Sequence, residues 1–182
     1  IKSIYYECKQ TTEQNNVDSL AELISELFEF PKPAFDNMEV LLQFLFQKAE
    51  KEQLILVLDE YPYLRENSKG LDSILQSVID HYKDTSNMKL IVCGSYVDTM
   101  KALLEKQNPL YGRIDLTLNL KPMDYYESAL FYPEFSDEDK VRLFSVFGGI
   151  PYYNRLIDSG KSVRDNIIDL IASPGARLEN EV

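Results

Sequence analysis

Histidine is nearly missing from this chain, and its scarcity closes off whole classes of chemistry. The one histidine, His81, stands between Asp80 and Tyr82 in a stretch with helical spacing, so catalytic dyads of serine or cysteine with histidine are implausible. The common zinc patterns fail for the same reason. Cysteine is almost as sparse. Cys8 and Cys93 are the only two, each at the end of an apolar strand-like run and without metal-ligand spacing, which suits buried, reduced thiols of a cytoplasmic protein. No apolar run approaches the ~20 residues needed to span a bilayer. No signal peptide opens the chain, which starts at Ile1 in a strand-like stretch and reads as a piece of a longer protein. Basic charge is short as well. Nineteen Lys and Arg against 30 Asp and Glu give a formal charge of −11, leaving no basic stripe to neutralise nucleic-acid phosphates.

What remains is a globular composition. With 182 residues, 45% apolar and 12% aromatic, the chain can bury the core of one domain, or of one domain with a small appendage. Strand-like and helix-like stretches alternate over its first two thirds. Ser3–Cys8 is β-rich. Val17, Leu20, Leu23, Ile24, Leu27 and Phe28 recur at helical spacing, with Asn15 or Asn16 as a cap, and Asp36 followed by Glu39 resembles a capping box. Residues 54–58 form an apolar strand buried on both faces, in the manner of a helix-covered parallel sheet. A polar turn over 65–70 follows, then a helix from Leu71 to Tyr82, a second buried strand over 89–93 and a helix from Val97 to Leu104. Residues 114–120 alternate strictly, which predicts another strand. From Lys121 onward only helices are expected: one opening at Ser136, one at Pro151 and one capped by Ser162. The pattern predicts an α/β fold, a parallel sheet with flanking helices followed by a small helical subdomain, with domains over 1–122 and 123–182.

Four features could form one site. The run Leu54–Glu60 ends in two adjacent carboxylates, Asp59 and Glu60, where open α/β sheets bind ligands. In nucleotide hydrolases that position supplies an acid for magnesium and a neighbour that polarises water; a solvated acidic turn is the alternative. Ser95 ends the next buried strand and would face the same crevice, or simply serve the turn after Gly94. Pro109-Leu-Tyr-Gly-Arg113 offers an orientable guanidinium for carboxylate or phosphate, or an ordinary surface arginine. Gly148-Gly-Ile-Pro-Tyr-Tyr153 is a hinge, a nest of amides or a tight helix–helix turn, the turn being the simplest. Gly160-Lys-Ser162 mimics a phosphate loop but fails the test, because Arg155 stands where the first glycine belongs and the upstream residues read as helix.

Taken together in order and spacing, Leu-Asp-Glu-Tyr-Pro-Tyr-Leu (58–64), Cys-Gly-Ser (93–95), Pro-Leu-Tyr-Gly-Arg (109–113) and Gly-Gly-Ile-Pro-Tyr-Tyr (148–153) resemble the archaeal-type ATPases of the AAA+/STAND group of P-loop NTPases. The resemblance covers essentially the whole chain. It implies that Asp59 is the Walker B acid contributing to Mg2+ binding and that Glu60 orients the attacking water. Ser95 would take the sensor position, and Arg113 would be a γ-phosphate or interface arginine. The region from Ser136 would begin the helical lid, and the parent would bind and hydrolyse ATP to change conformation.

The chain departs from the family by starting after the strand and Walker A loop that would precede Ser3–Cys8. The expectation is therefore that it neither binds ATP tightly nor hydrolyses it alone. The missing strand belongs between 89–93 and 114–120, so exposed sheet edges that invite self-association are expected too. Two other readings stand beside this one: a non-catalytic interaction domain with a vestigial nucleotide site, and a flavodoxin-like or receiver-type domain using Asp59, which the helical region after 121 disfavours.

Overall fold

Three short runs rich in Leu, Ile, Val and Tyr become parallel strands, and everything that positions the site follows from their order. The computed structural model describes residues 1–181 and divides into two units, Ile1–Thr117 and Leu118–Val182. The first contains β1 (Lys2–Glu7), α1 (Glu13–Phe28), α2 (Met38–Lys48), β2 (Leu54–Asp59), α3 (Tyr61–Asn67), α4 (Leu71–Tyr82), β3 (Met88–Val92) and α5 (Val97–Ala102). The sheet order is β1-β2-β3, all parallel, with Tyr5 level with Val57, Glu7 with Asp59 and Leu58 with Val92. Parallel register aligns the strand ends, so the loops after all three strands emerge on one side.

The sheet has one apolar face and one open face. Ile4, Tyr6, Leu54, Leu56 and Leu58 pack in one core with Val17, Leu20 and Ile24 of α1, Leu41, Leu42 and Leu45 of α2, and Leu71, Leu75 and Val78 of α4. Each such fully buried side chain contributes roughly 1.5–3 kcal/mol of transfer free energy. The alternate residues do not share this cover: Tyr5 is 59% and Ile91 49% exposed, while Ile55 and Val57 are half-buried. The expectation of a strand buried on both faces is thus corrected. The run 54–58 is apolar throughout, but among the described residues helices line only one of its sides.

Residues 114–120 also depart from expectation. They form no strand, and Leu116, Leu118 and Leu120 are 72%, 73% and 90% exposed. Alternation prepares a segment for a sheet, but a strand exists only when its amides and carbonyls meet a neighbour. Beyond β3 the sheet offers none among the described residues. Smaller corrections concern helix starts. Thr12, not Asn15 or Asn16, caps α1 by accepting from Asn15 N, and Asn37, not Asp36, caps α2 by accepting from Val40 N. The stretch expected as a turn after β2 begins as α3, started by Pro62 in its first turn.

The second unit holds α6 (Tyr125–Ala129), α7 (Asp137–Phe147), α8 (Pro151–Leu156) and α9 (Val163–Ile167), the last running into a π-helical turn over Ile168–Ala172. Its own core gathers Tyr132, Leu143, Phe147, Ile157 and Leu178. Ser136 and Ser162 cap α7 and α9 as expected. Gly148-Gly149 forms the tight helix–helix turn. Gly148 ends α7 at φ 62, and a Cβ on Gly149 would lie 1.9 Å from Met123 O, whose amide donates to Gly149 O.

Candidate functional site

The carboxylates of Asp59 and Glu60 meet different partners at the end of β2, where the chain turns sharply. Asp59 closes the strand, its carbonyl accepting from Cys8 N at 2.8 Å. Glu60 then takes left-handed backbone angles, φ 48 and ψ 42, a conformation that costs a residue with a Cβ about 1–2 kcal/mol. Tyr61 N, donating to Cys93 O at 2.9 Å, ties the start of α3 to the end of β3.

Asp59 is held by donors from three segments. Tyr5 on β1 donates its hydroxyl to Oδ2 at 2.5 Å. The Cys93 thiol, just beyond β3, donates to Oδ1 at 3.0 Å, and Glu60 N donates to the same oxygen at 3.0 Å. These bonds favour the ionised carboxylate, and the Tyr5 bond, followed by the Cys93 bond, pulls the Asp59 pKa below the usual carboxylate value. The partners respond in the opposite sense. The hydrogen bond to Asp59 raises the Tyr5 phenol to about 12; burial first, then Asp59, raises Cys93 to about 11. Cys8 is buried and pushed up to about 12, mainly by desolvation. Both shifts favour the protonated thiol over the nucleophilic thiolate.

Glu60 points to Ser95. The Ser95 hydroxyl and amide donate to Glu60 Oε2 at 3.3 and 3.4 Å, long bonds in an open setting that leave the carboxylate free to accept further donors. The structure therefore brings Asp59, Glu60 and Ser95 together at the carboxyl ends of β2 and β3. Arg113 lies outside this cluster. Its guanidinium grips Asp80 of α4 through Nε and Nη2, both at 2.7 Å, and Nη1 donates to the carbonyls of Pro109 and Tyr111 at 3.0 and 3.2 Å. That pairing raises the Arg113 pKa and lowers that of Asp80.

Tyr5 and Cys93 were not legible from the sequence as partners of Asp59, although one clue existed. Period two along β1 puts Tyr5 on the same face as Glu7, which sits level with Asp59 in the register. A cleft of about 930 Å3 in the first unit lies among Tyr63, Arg65, Tyr96, Thr99 and Asn108 and does not include Asp59 or Glu60. Asp72 on its wall is buried and accepts from Tyr61 Oη, Arg65 Nε and Asn108 Nδ2 at 2.8, 2.9 and 2.8 Å. That junction fastens α3, α4 and the loop around Asn108, and we assign it to architecture.

Residues 3–156 match a family described as an ATPase domain predominantly from Archaea. The chain belongs to this archaeal ATPase-domain family. It is similar to an uncharacterised protein of Methanocaldococcus jannaschii, 28% identical over 151 residues, a match covering 82% of the chain and 32% of the relative. A second uncharacterised protein of that organism is 31% identical over 84 residues, or 44% of the chain and 80% of the relative. The chain thus spans about a third of the length of the first relative. Its fold resembles that of a Walker-type ATPase of Pyrococcus abyssi, with a TM-score of 0.60 and 19% identity over 91% of the chain and 59% of the other. An ATPase-like α/β domain with a parallel sheet is the common denominator. Among the described residues no helix is long and apolar enough to cross a membrane.

The donor set can be tested against the Mg2+ that such a family implies. Among the described residues no cluster of three or more His, Cys, Asp or Glu could enclose a metal ion. Mg2+ is commonly held by one or two carboxylates together with substrate phosphates and water. An ionised Asp59 at a strand end fits that mode.

Proposed function

We propose that this chain carries the metal-and-water half of an ATP-hydrolysing site of the AAA+/STAND type, in a parent that couples hydrolysis to conformational change. Asp59 is the Walker B acid that would hold Mg2+, Glu60 orients and deprotonates the attacking water, and Ser95 is the sensor that links Glu60 to the end of β3. The observation that carries the reading is Asp59, held by three hydrogen-bond donors, next to a Glu60 bonded by Ser95, at the carboxyl ends of adjacent parallel strands. Arg113 is the arginine candidate, acting in its own subunit or a neighbour's once its pair with Asp80 opens. Residues 123–182 begin the helical lid. The bound Mg2+ would supply charge neutralisation at the phosphates.

The sequence contains no Gly-x-x-x-x-Gly-Lys-Ser/Thr loop, so the β- and γ-phosphates have no amide cradle in this polypeptide. MgATP hydrolysis by the 182-residue chain is expected to stay at the level of a buffer control. Metal-dependent turnover that Glu60→Gln abolishes would overturn this. With a formal charge of −11, direct nucleic-acid binding is not part of the proposal.

A second reading, an interaction domain with a vestigial nucleotide site, is favoured by two features: the exposed alternation of Leu116, Leu118 and Leu120, and a β3 edge that no strand pairs among the described residues. Self-association through these elements is the expected consequence. Light scattering after size exclusion should show mass rising with protein concentration, and Leu116→Ser with Leu118→Ser should return it to the monomer value. A wild-type chain that stays monomeric at high concentration refutes it.

A further inference from the structure

Asp59 does not stand on its own strand alone. Its Oδ2 receives the Tyr5 hydroxyl from β1 and its Oδ1 receives the Cys93 thiol from the end of β3, while Glu60 N adds a third donor from the turn. The two side-chain donors come from opposite sides of β2, one strand away in each direction. Each fixes a different carboxylate oxygen, so together they set both the rotation of the carboxylate plane and its height above the sheet. Neither residue serves the core: Tyr5 is 59% exposed, and Cys93 is half-buried. An exposed tyrosine gains little from burial, which leaves its bond to Asp59 as its main structural commitment.

We infer that Tyr5 and Cys93 are positioning residues for a divalent cation at Asp59, holding its carboxylate from both neighbouring strands in the orientation in which it ligates. This rests on the reading of Asp59 as a cation ligand. Ligating carboxylates are themselves hydrogen-bonded, and loss of such a partner typically weakens metal binding by roughly 10–100-fold. With Tyr5 largely exposed, the smaller end of that range applies.

The test uses Mn2+ and two-dimensional amide NMR of the whole chain, because a paramagnetic ion broadens nearby amides even when it binds weakly. In the wild type, the amides of residues 59–61 and 94–95 should broaden first. Tyr5→Phe should raise the Mn2+ concentration for half-broadening about 10-fold while the melting temperature hardly moves. Cys93→Ala should raise it too, and Cys93→Ser, which keeps a donor, should lie nearer to wild type than alanine does. An unchanged midpoint in Tyr5→Phe overturns the inference while leaving the cation reading standing. A lowered midpoint overturns it as well, and shows instead that Tyr5 competes with the cation. If wild-type broadening is not centred on these amides, or survives Asp59→Asn, the cation reading fails and the positioning role with it.

Discussion

Replacing Asp72 by alanine should lower stability by about 3 kcal/mol, seen as a thermal midpoint roughly 10 °C lower. The side chain is 9% exposed and is the shared acceptor of three donors. Tyr61, fully buried, would keep a hydroxyl with no acceptor; burial and the neighbouring Asp72 already raise its pKa far above the ordinary phenol value. An unsatisfied buried hydroxyl costs about 1–3 kcal/mol. Arg65, with a third of its side chain exposed, would lose its partner but could turn to water, so its share falls below that of a fully buried pair. Asn108 would lose an anchor for its loop while keeping its bond to Leu110 N at 2.8 Å. Asn108→Ala should therefore cost only about 1 kcal/mol. Denaturant unfolding of the two variants gives the comparison. Equal small losses would mean that the junction is solvated and that Asp72 is not the fastening point.

This junction also marks where reading the sequence stops. Spacing along the chain reveals helices and strands, because each repeats its own period, and α1, α2, α4 and the three strands follow it closely. It does not reveal which polar groups meet. Asp72 and Asn108 are 36 residues apart, and Arg113 and Asp80 are 33 apart; only the packed fold brings them together. Arg113 reads as an orientable guanidinium or an ordinary surface arginine, since nothing local names Asp80 as its partner. Residues 114–120 show the reverse failure, in which a clear local pattern lacks the neighbour that would make it a strand. The placement of Asp59-Glu60 at a strand end was legible because an apolar run and two charges meet in one heptapeptide. Its supporting donors were not, because Tyr5 reaches Asp59 across the sheet, over 54 residues of sequence.

In the role proposed for Glu60, fold and chemistry oppose each other, and two substitutions should separate them. Glycine adopts φ 48 without strain, so Glu60→Gly should raise stability by about 0.5–1 kcal/mol, the relief being partly offset by the greater freedom of glycine in the unfolded chain. Glu60→Gln keeps the shape and the reach to Ser95 and should move stability by no more than about 0.5 kcal/mol. Activity should follow a different order. In a polypeptide that joins this chain to a phosphate-binding loop, Glu60→Gln should lower kcat by about 10²–10⁴-fold with KM little changed, since the amide can still orient water but cannot take its proton. Glu60→Gly should be no more active despite its greater stability. A left-handed residue that glycine would relieve, yet whose carboxylate is held by Ser95, is the combination expected where strain is kept for chemistry. If Glu60→Gly is instead destabilised, the strain argument fails. If Glu60→Gln hydrolyses ATP as fast as the parent, the general-base assignment fails, and Asp59 alone would be left to define the site.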